Sequence, residues 1–362
     1  AFFIMKIGSG NYVEAVTQST FAAFIGMLAS MAVLAFYLWK TGMLTSIIHK
    51  PANATEINGR ALLWDTIREA IPFIITGSAI QLFQIIDQST FIHVMSWISK
   101  HSRSELLVQF AYFSANPNKV TMILIAVATS IGGVGIPLLT ENYVKGDFRS
   151  AARLVQDNLS MLIFFILPAT IGAVLVAEPL YTVFYGKPDS LALGLFIFAM
   201  LQTIILSLYT VLAPMIQALF QNRKAIIYFL YGVGVKLVLQ VPLIYIFKAY
   251  GPLLATTIGL IIPILLMYQE IRKVTGLNPK NLFKRSLLSV ILTVLMTIFV
   301  LVAELLIGLF FHPSGRISSF VYIALIGGIG LAVYGGLALK VRLMDRFIGS
   351  KAASLRRRFH IY

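Results

Sequence analysis

The chain has 362 residues; 58% are hydrophobic, 12% are charged, the net charge is +15 and there is no cysteine. Soluble domains run at roughly 45–50% apolar and about 25% charged residues, so this surplus of apolar surface requires lipid as its solvent. Disulfides and thiolate metal sites are excluded, and the five histidines show no ligand spacing, so neither a metal nor a cofactor is expected.

The first residues, Ala1-Phe2-Phe3-Ile4-Met5-Lys6, lack the basic start and the long apolar run of a signal peptide. They read as the tail of an earlier helix, and an N-terminally shortened chain is expected. Membrane-crossing helices need about 20 mostly apolar residues. Nine such stretches follow in order: Ser19–Trp39, Ala70–Trp97, Val120–Leu139, Leu159–Val176, Leu191–Leu219, Ala225–Phe247, Pro252–Tyr268, Leu287–Phe311 and Ile317–Ala338. The second is long enough to tilt or project. The seventh is short and starts within the Ala249-Tyr250-Gly251 turn. Alternation over about ten residues, the mark of a transmembrane β-barrel, is missing. The longest connection, Thr41–Asp65, carries Pro51 and is expected to hold a short interfacial helix from Gly59 onward.

The connecting segments test this count. Twenty-one Lys and Arg residues fall in the connections after the first, third, fifth, seventh and ninth spans, and six fall on the other side. Such alternation is the positive-inside pattern, which puts the C-terminus in the cytoplasm. The tail Arg356-Arg357-Arg358 is therefore expected against anionic membrane lipids, at ~1 kcal/mol per charge. The net charge reads as a topology determinant, and no nucleic-acid partner is expected. No large soluble segment and no G-x-x-x-x-G-K-[ST] motif offer room for a nucleotide-driven engine.

Ionised groups deep in a bilayer cost ~2.5–3.5 kcal/mol on insertion scales, so each calls for an account. Gln81, Gln84, Asp87 and Gln88 recur at three- and four-residue spacing and give the second span one polar face. Asp87 is either an ion or proton site on a cavity wall or a hydrated group near the outer interface. Lys236 lies about eleven residues from either end of its span, too deep for easy snorkelling. Gln240 follows one turn on, along the same face. Lys236 is either a cation that pairs with Asp87 or meets an anionic substrate, or one half of a structural ion pair. Lys119 follows Asn118 and the helix breaker Pro117. It suits a phosphate contact and equally a surface loop. Gly132, Gly133 and Gly135 read as a site of close helix packing. Pro137, Pro168, Pro214 and Pro242 are further kinks. His93 and His312 fall near outer span ends with no evident acid partner, which leaves an intramembrane polymerase or acyltransferase little to work with.

Several segments, taken in order, resemble a known family. Ile136-Pro137-Leu138-Leu139-Thr140-Glu141 and Lys145-Gly146-Asp147-Phe148 come first. Pro168 and Glu178-Pro179-Leu180-Tyr181-Thr182-Val183-Phe184-Tyr185-Gly186 follow, then Gln217–Lys224 and Tyr250-Gly251-Pro252-Leu253-Leu254-Ala255-Thr256-Thr257. The pattern looks like a polysaccharide flippase of the MOP superfamily, in the branch of the MurJ-like lipid II flippases, and covers essentially the whole chain. Multidrug and toxin exporters share that superfamily and remain the alternative.

The resemblance implies an all-α integral membrane protein, a polytopic helical bundle with the MOP/MATE-like two-lobed transporter architecture. This chain would correspond to the C-terminal nine helices and lack most of the N-terminal lobe. Residues 1–69 would then hold the last helix of that lobe and a cytoplasmic linker. Residues 70–273 would form the six-helix C-terminal lobe, and residues 274–362 two extra helices and a basic cytoplasmic tail. The implied activity is transport without covalent chemistry, in which a polyprenyl-pyrophosphate-linked saccharide is flipped to the outer leaflet of the bacterial plasma membrane. The basic cavity residue that the MurJ-like branch carries would correspond to Lys119. Some family members hold a cation between an acid, an Asn–Asp pair one turn apart, and a Thr. Asp87 and Thr256 fall on the first and last of those positions, but Lys236 and Gln240 fall where the Asn and Asp would be. An ammonium in the place of a sodium ion is what this departure implies.

Overall fold

The computed structural model describes residues 12–43, 58–345 and 349–358. The segment Ala1–Lys6, together with Lys50 and Pro51 of the first connection and Arg346, lies outside the described residues. Two compact units are present, residues 1–65 and residues 66–362. The first contains helix α1 (Tyr12–Lys40), whose apolar residues from Phe21 to Trp39 are exposed all round. A helix apolar on every side belongs in lipid or a protein core.

Helix α2 (Gly59–Gly77) runs across the boundary; a helix does start at Gly59, but it is 19 residues long and continuous where a short one was expected. It meets α3 (Ala79–Ile98) at a 54° bend around Ser78, so the long second span is a broken one. Helix α4 (Arg103–Ser114) begins at a capping box in which Ser102 Oγ accepts from the Glu105 amide while Glu105 accepts from the Ser102 amide. That arrangement satisfies amides the helix start leaves orphaned. A turn ending in Pro117 separates α4 from α5 (Asn118–Val144). Then come α6 (Phe148–Leu175), capped by Asp147, the short α7 (Ala177–Tyr185), and α8 (Ser190–Ala218), capped by Asp189. Helix α9 (Asn222–Phe247) turns through a 3₁₀ segment, Lys248–Tyr250, into α10 (Gly251–Thr275). Helix α10 stops at Gly276, whose φ of 68° suits a residue without Cβ. Helices α11 (Pro279–Gly308), α12 (Arg316–Lys340) and the short α13 (Ser350–Arg358) complete the described chain.

Seven continuous helical stretches among the described residues are long and apolar enough to cross a membrane, and the bent α2–α3 pair qualifies as one more. One of the seven, residues 222–275, is 54 residues long. It is a hairpin, because Gly232 of α9 lies against Gly259 of α10 and Lys236 bonds to Thr256. Each leg is long enough to cross alone, with 26 and 25 residues. Nine crossings therefore fit the described residues, as the basic connections indicate. The chain is an all-α, multi-pass membrane protein.

With lipid outside, packing and buried hydrogen bonds hold the helices together more than water exclusion does. A Cβ at Gly232 would stand 2.4 Å from the Gly259 carbonyl oxygen, so only glycine permits this approach of α9 to α10. The Gly132–Gly135 run acts the same way in part. Gly132 packs on Val211 of α8 and Gly135 on Asn158 of α6. Helix α8 is the central element and contributes Leu206, Val211, Leu212, Met215 and Ile216 to the largest buried cluster. It is tied to α2 by hydrogen bonds from Tyr209 to the Thr76 carbonyl (3.0 Å) and from Gln217 to Thr76 Oγ1 (2.6 Å). Helices α11 and α12 pack on α6 and α7 through a separate apolar cluster that includes Phe164, Met296, Ile326 and Tyr334.

Candidate functional site

Of the three groups singled out within the spans, Asp87 and Lys236 meet and Lys119 does not; Gln240 and Thr256 join the pair. Asp87 on α3 is buried, and so are Lys236 and Gln240 on α9 and Thr256 on α10. Lys236 Nζ donates to Asp87 Oδ1 at 2.8 Å and to Thr256 Oγ1 at 2.5 Å. Its third direction faces the Phe83 ring, 4.9 Å to the centroid. A lysine ammonium has three donors and no acceptor, so two hydrogen bonds and a cation–π contact fill its shell. Gln240 Nε2 donates to the same carboxylate oxygen at 2.8 Å and to Thr90 Oγ1 at 3.0 Å.

Helical spacing explains the convergence. Lys236 and Gln240 are one turn apart and so share the face of α9 that meets α3. The hairpin brings Thr256 to the same level, and the bare backbone at Gly232 and Gly259 lets α10 come close enough. The pair is formally neutral and Lys236 is 0% exposed. Burying one charge alone costs several kcal/mol, which the second charge and its hydrogen bonds offset. One atom is left over: Gln240 Oε1 is buried without a hydrogen-bond partner.

Beside the pair lies a cavity of about 60 Å³, lined among others by Gln84, Asp87, Asn118, Thr121, Gln202 and Thr256. Saccharide-sized pockets run to roughly 300–1,000 Å³, so this one has room for water or a small ion and not for a sugar. Of the eight residues singled out from sequence, six meet here. Gln84, Asp87, Asn118 and Thr256 line the cavity, while Lys236 and Gln240 back it. Two lie elsewhere. Gln88 is exposed outside the cavity. Lys119 is also exposed and stands over the rings of Tyr185 and Phe184 on α7, at 4.6 and 5.5 Å.

Sequence reasoning passed over Phe83, Thr90, Thr121 and Gln202. Gln202 carried a usable signal, as an amide in the middle of an otherwise apolar span. Its Nε2 donates to the Leu253 carbonyl (2.8 Å) and Thr257 Oγ1 (2.9 Å) and ties α8 to α10. Phe83 carried none, since its role depends on which cation lies over its ring.

Fold and site together define a multi-pass helical membrane protein with a neutralised ion pair held between three helices. No protein-family model matches the chain. Among curated proteins it is similar to the lipid II flippase MurJ of Bacillus subtilis (strain 168), at 28% identity over 356 residues, covering 97% of this chain and 65% of the relative. A solved structure, lipid II flippase MurJ in an inward closed conformation, shares the fold with a TM-score of 0.55 at 17% identity, covering 81% of this chain and 57% of that one. The chain thus spans about two thirds of the length of the curated relative. The likeness to the MurJ branch of the MOP superfamily, legible in the sequence motifs, holds along nearly the whole chain.

Proposed function

We propose that this chain carries out its part in flipping a polyprenyl-pyrophosphate-linked saccharide of the lipid II class to the outer leaflet of a bacterial plasma membrane, by alternating access. The observation that carries this reading is the 28% identity to a lipid II flippase along 97% of the chain. The polar interior is consistent with it. A neutral ion pair between helices is an element that can be separated and remade as the helices of one lobe shift, and it requires no covalent step. The 60 Å³ cavity is too small for the saccharide and does not itself hold the substrate. In this proposal residues 70–273 form one lobe and residues 274–362 add two helices and a tail. The C-terminus is cytoplasmic, as the basic connections indicate, with Arg356 and Arg357 near anionic headgroups.

The test is complementation of a strain depleted of its lipid II flippase by the full-length gene. Restored growth, with labelled lipid II exposed at the outer surface, is expected. No rescue from protein that is well expressed and correctly inserted would move the assignment to another lipid-linked saccharide.

The ion pair argues against the alternative of a sodium-coupled exporter using this position. Lys236 Nζ already occupies the space between Asp87 and Thr256 that a bound cation would need. Transport is therefore expected to be independent of sodium. Sodium-dependent transport that is lost in Asp87→Ala and retained in Lys236→Ala would reverse this reading.

A further inference from the structure

We propose a second site, unrelated to the Asp87–Lys236 cluster, that binds the phosphate of an anionic phospholipid where three helix ends meet. The first turns of α6, the end of α10 and the start of α11 enclose a hollow of about 730 Å³, lined by Arg149, Arg153 and Arg285 together with Gln156 and Asp157. Asp157 is engaged, since its Oδ1 accepts from Arg285 Nη1 at 2.5 Å. Asp147, the cap of α6, lies close enough to feel the charge of Arg153. Among the described residues, neither Arg149 nor Arg153 makes an ion pair within 4.0 Å. The lining therefore keeps an excess of positive charge.

Gln156 points independently to a ligand. It is 8% exposed, forms part of the wall, and its Nε2 is buried without an acceptor. A buried amide donor left unpaired costs about 1–3 kcal/mol, and a phosphate oxygen is the kind of acceptor that would relieve it.

Position favours a lipid over a soluble anion. A second hollow of about 470 Å³ shares Asn281 and Arg285 with the first and adds Lys284 and Arg342. Leu288, one turn deeper along α11 on the side of Lys284 and Arg285, lines this second hollow together with Val341 and Leu343. A headgroup held by the arginines would leave its acyl chains beside Leu288, Val341 and Leu343.

The test uses the purified full chain in detergent, titrated with short-chain phosphatidylglycerol and followed by thermal shift. Phosphatidylcholine of equal chain length, inorganic phosphate and inorganic pyrophosphate serve as comparators. Wild type is expected to be stabilised by phosphatidylglycerol alone. Each surface charge near a headgroup contributes roughly a factor of five, so Arg149→Gln/Arg153→Gln should bind about thirtyfold more weakly. Gln156→Glu should also bind weakly, because it puts an anion in the wall. Lys187→Gln/Arg316→Gln, two exposed charges away from the hollow, should bind like wild type. Both arginines of the double variant are exposed, so that variant decides the matter if Gln156→Glu fails to fold. Unchanged phosphatidylglycerol binding in Arg149→Gln/Arg153→Gln would overturn the site. Equal stabilisation by inorganic pyrophosphate would overturn its assignment to a lipid.

Discussion

Lys236 and Asp87 stabilise the protein only as a pair. Replacing Lys236 by Met leaves Asp87 buried without its counter-charge, and breaking such a pair costs about 3–5 kcal/mol. The double replacement Asp87→Asn/Lys236→Met removes both charges and should recover most of that loss, as read from unfolding temperatures in nanodiscs. If the double variant is no more stable than Lys236→Met, the two residues are not energetically coupled. Thr256→Val removes one acceptor from the ammonium. Hydrogen bonds between membrane helices average ~0.6 kcal/mol, so its effect should be several times smaller than that of Lys236→Met. The candidate residues were legible at this scale because polar groups stand out in apolar spans. Their partners were not, since spacing along one helix says nothing about which helix it faces. Lys119 shows the limit. Sequence placed it beside an amide-rich kink, and the fold turned it outward onto Tyr185 and Phe184.

At the scale of elements, the α9–α10 hairpin governs the site. Gly232→Ala would insert a methyl group 2.4 Å from the Gly259 carbonyl oxygen, a backbone atom that cannot swing aside. Overpacking of this kind costs about 1–3 kcal/mol, and here it also moves Thr256 away from Lys236. Reduced thermal stability is expected, together with slower crosslinking between cysteines placed on the outer flanks of α9 and α10. Gly234→Ala, which meets nothing within 4 Å, is the control and should behave like wild type. At the start of α4, Ser102→Ala removes the capping hydroxyl and should cost about 1 kcal/mol. The helix boundaries show what pattern can and cannot resolve. Hydropathy located the long second span, but the 54° break at Ser78 was invisible because no proline marks it. Pro117 did mark a break, and α5 starts at the next residue.

For the whole molecule, orientation in the membrane can be tested cleanly because the chain has no cysteine of its own. Single cysteines at Lys145 and Lys284 should react with an impermeant thiol reagent only from the cytoplasmic side, and one at Lys187 only from outside. Labelling of Lys145→Cys from outside would invert the proposed topology. The number of crossings and the proposed polarity are read from quantities that add along the chain, namely apolar length and the side on which basic residues fall. Apolar length and the alternation of basic residues are what the sequence determined by itself. Which polar residues meet was decided only by the tertiary structure. Convergence of Asp87, Lys236, Gln240 and Thr256 depends on two glycines that let α9 and α10 touch and on the face α3 turns toward them. The same holds for the basic hollow at Arg149 and Arg153. Its residues are scattered over more than a hundred positions in three helices, and only packing puts their charges around one space.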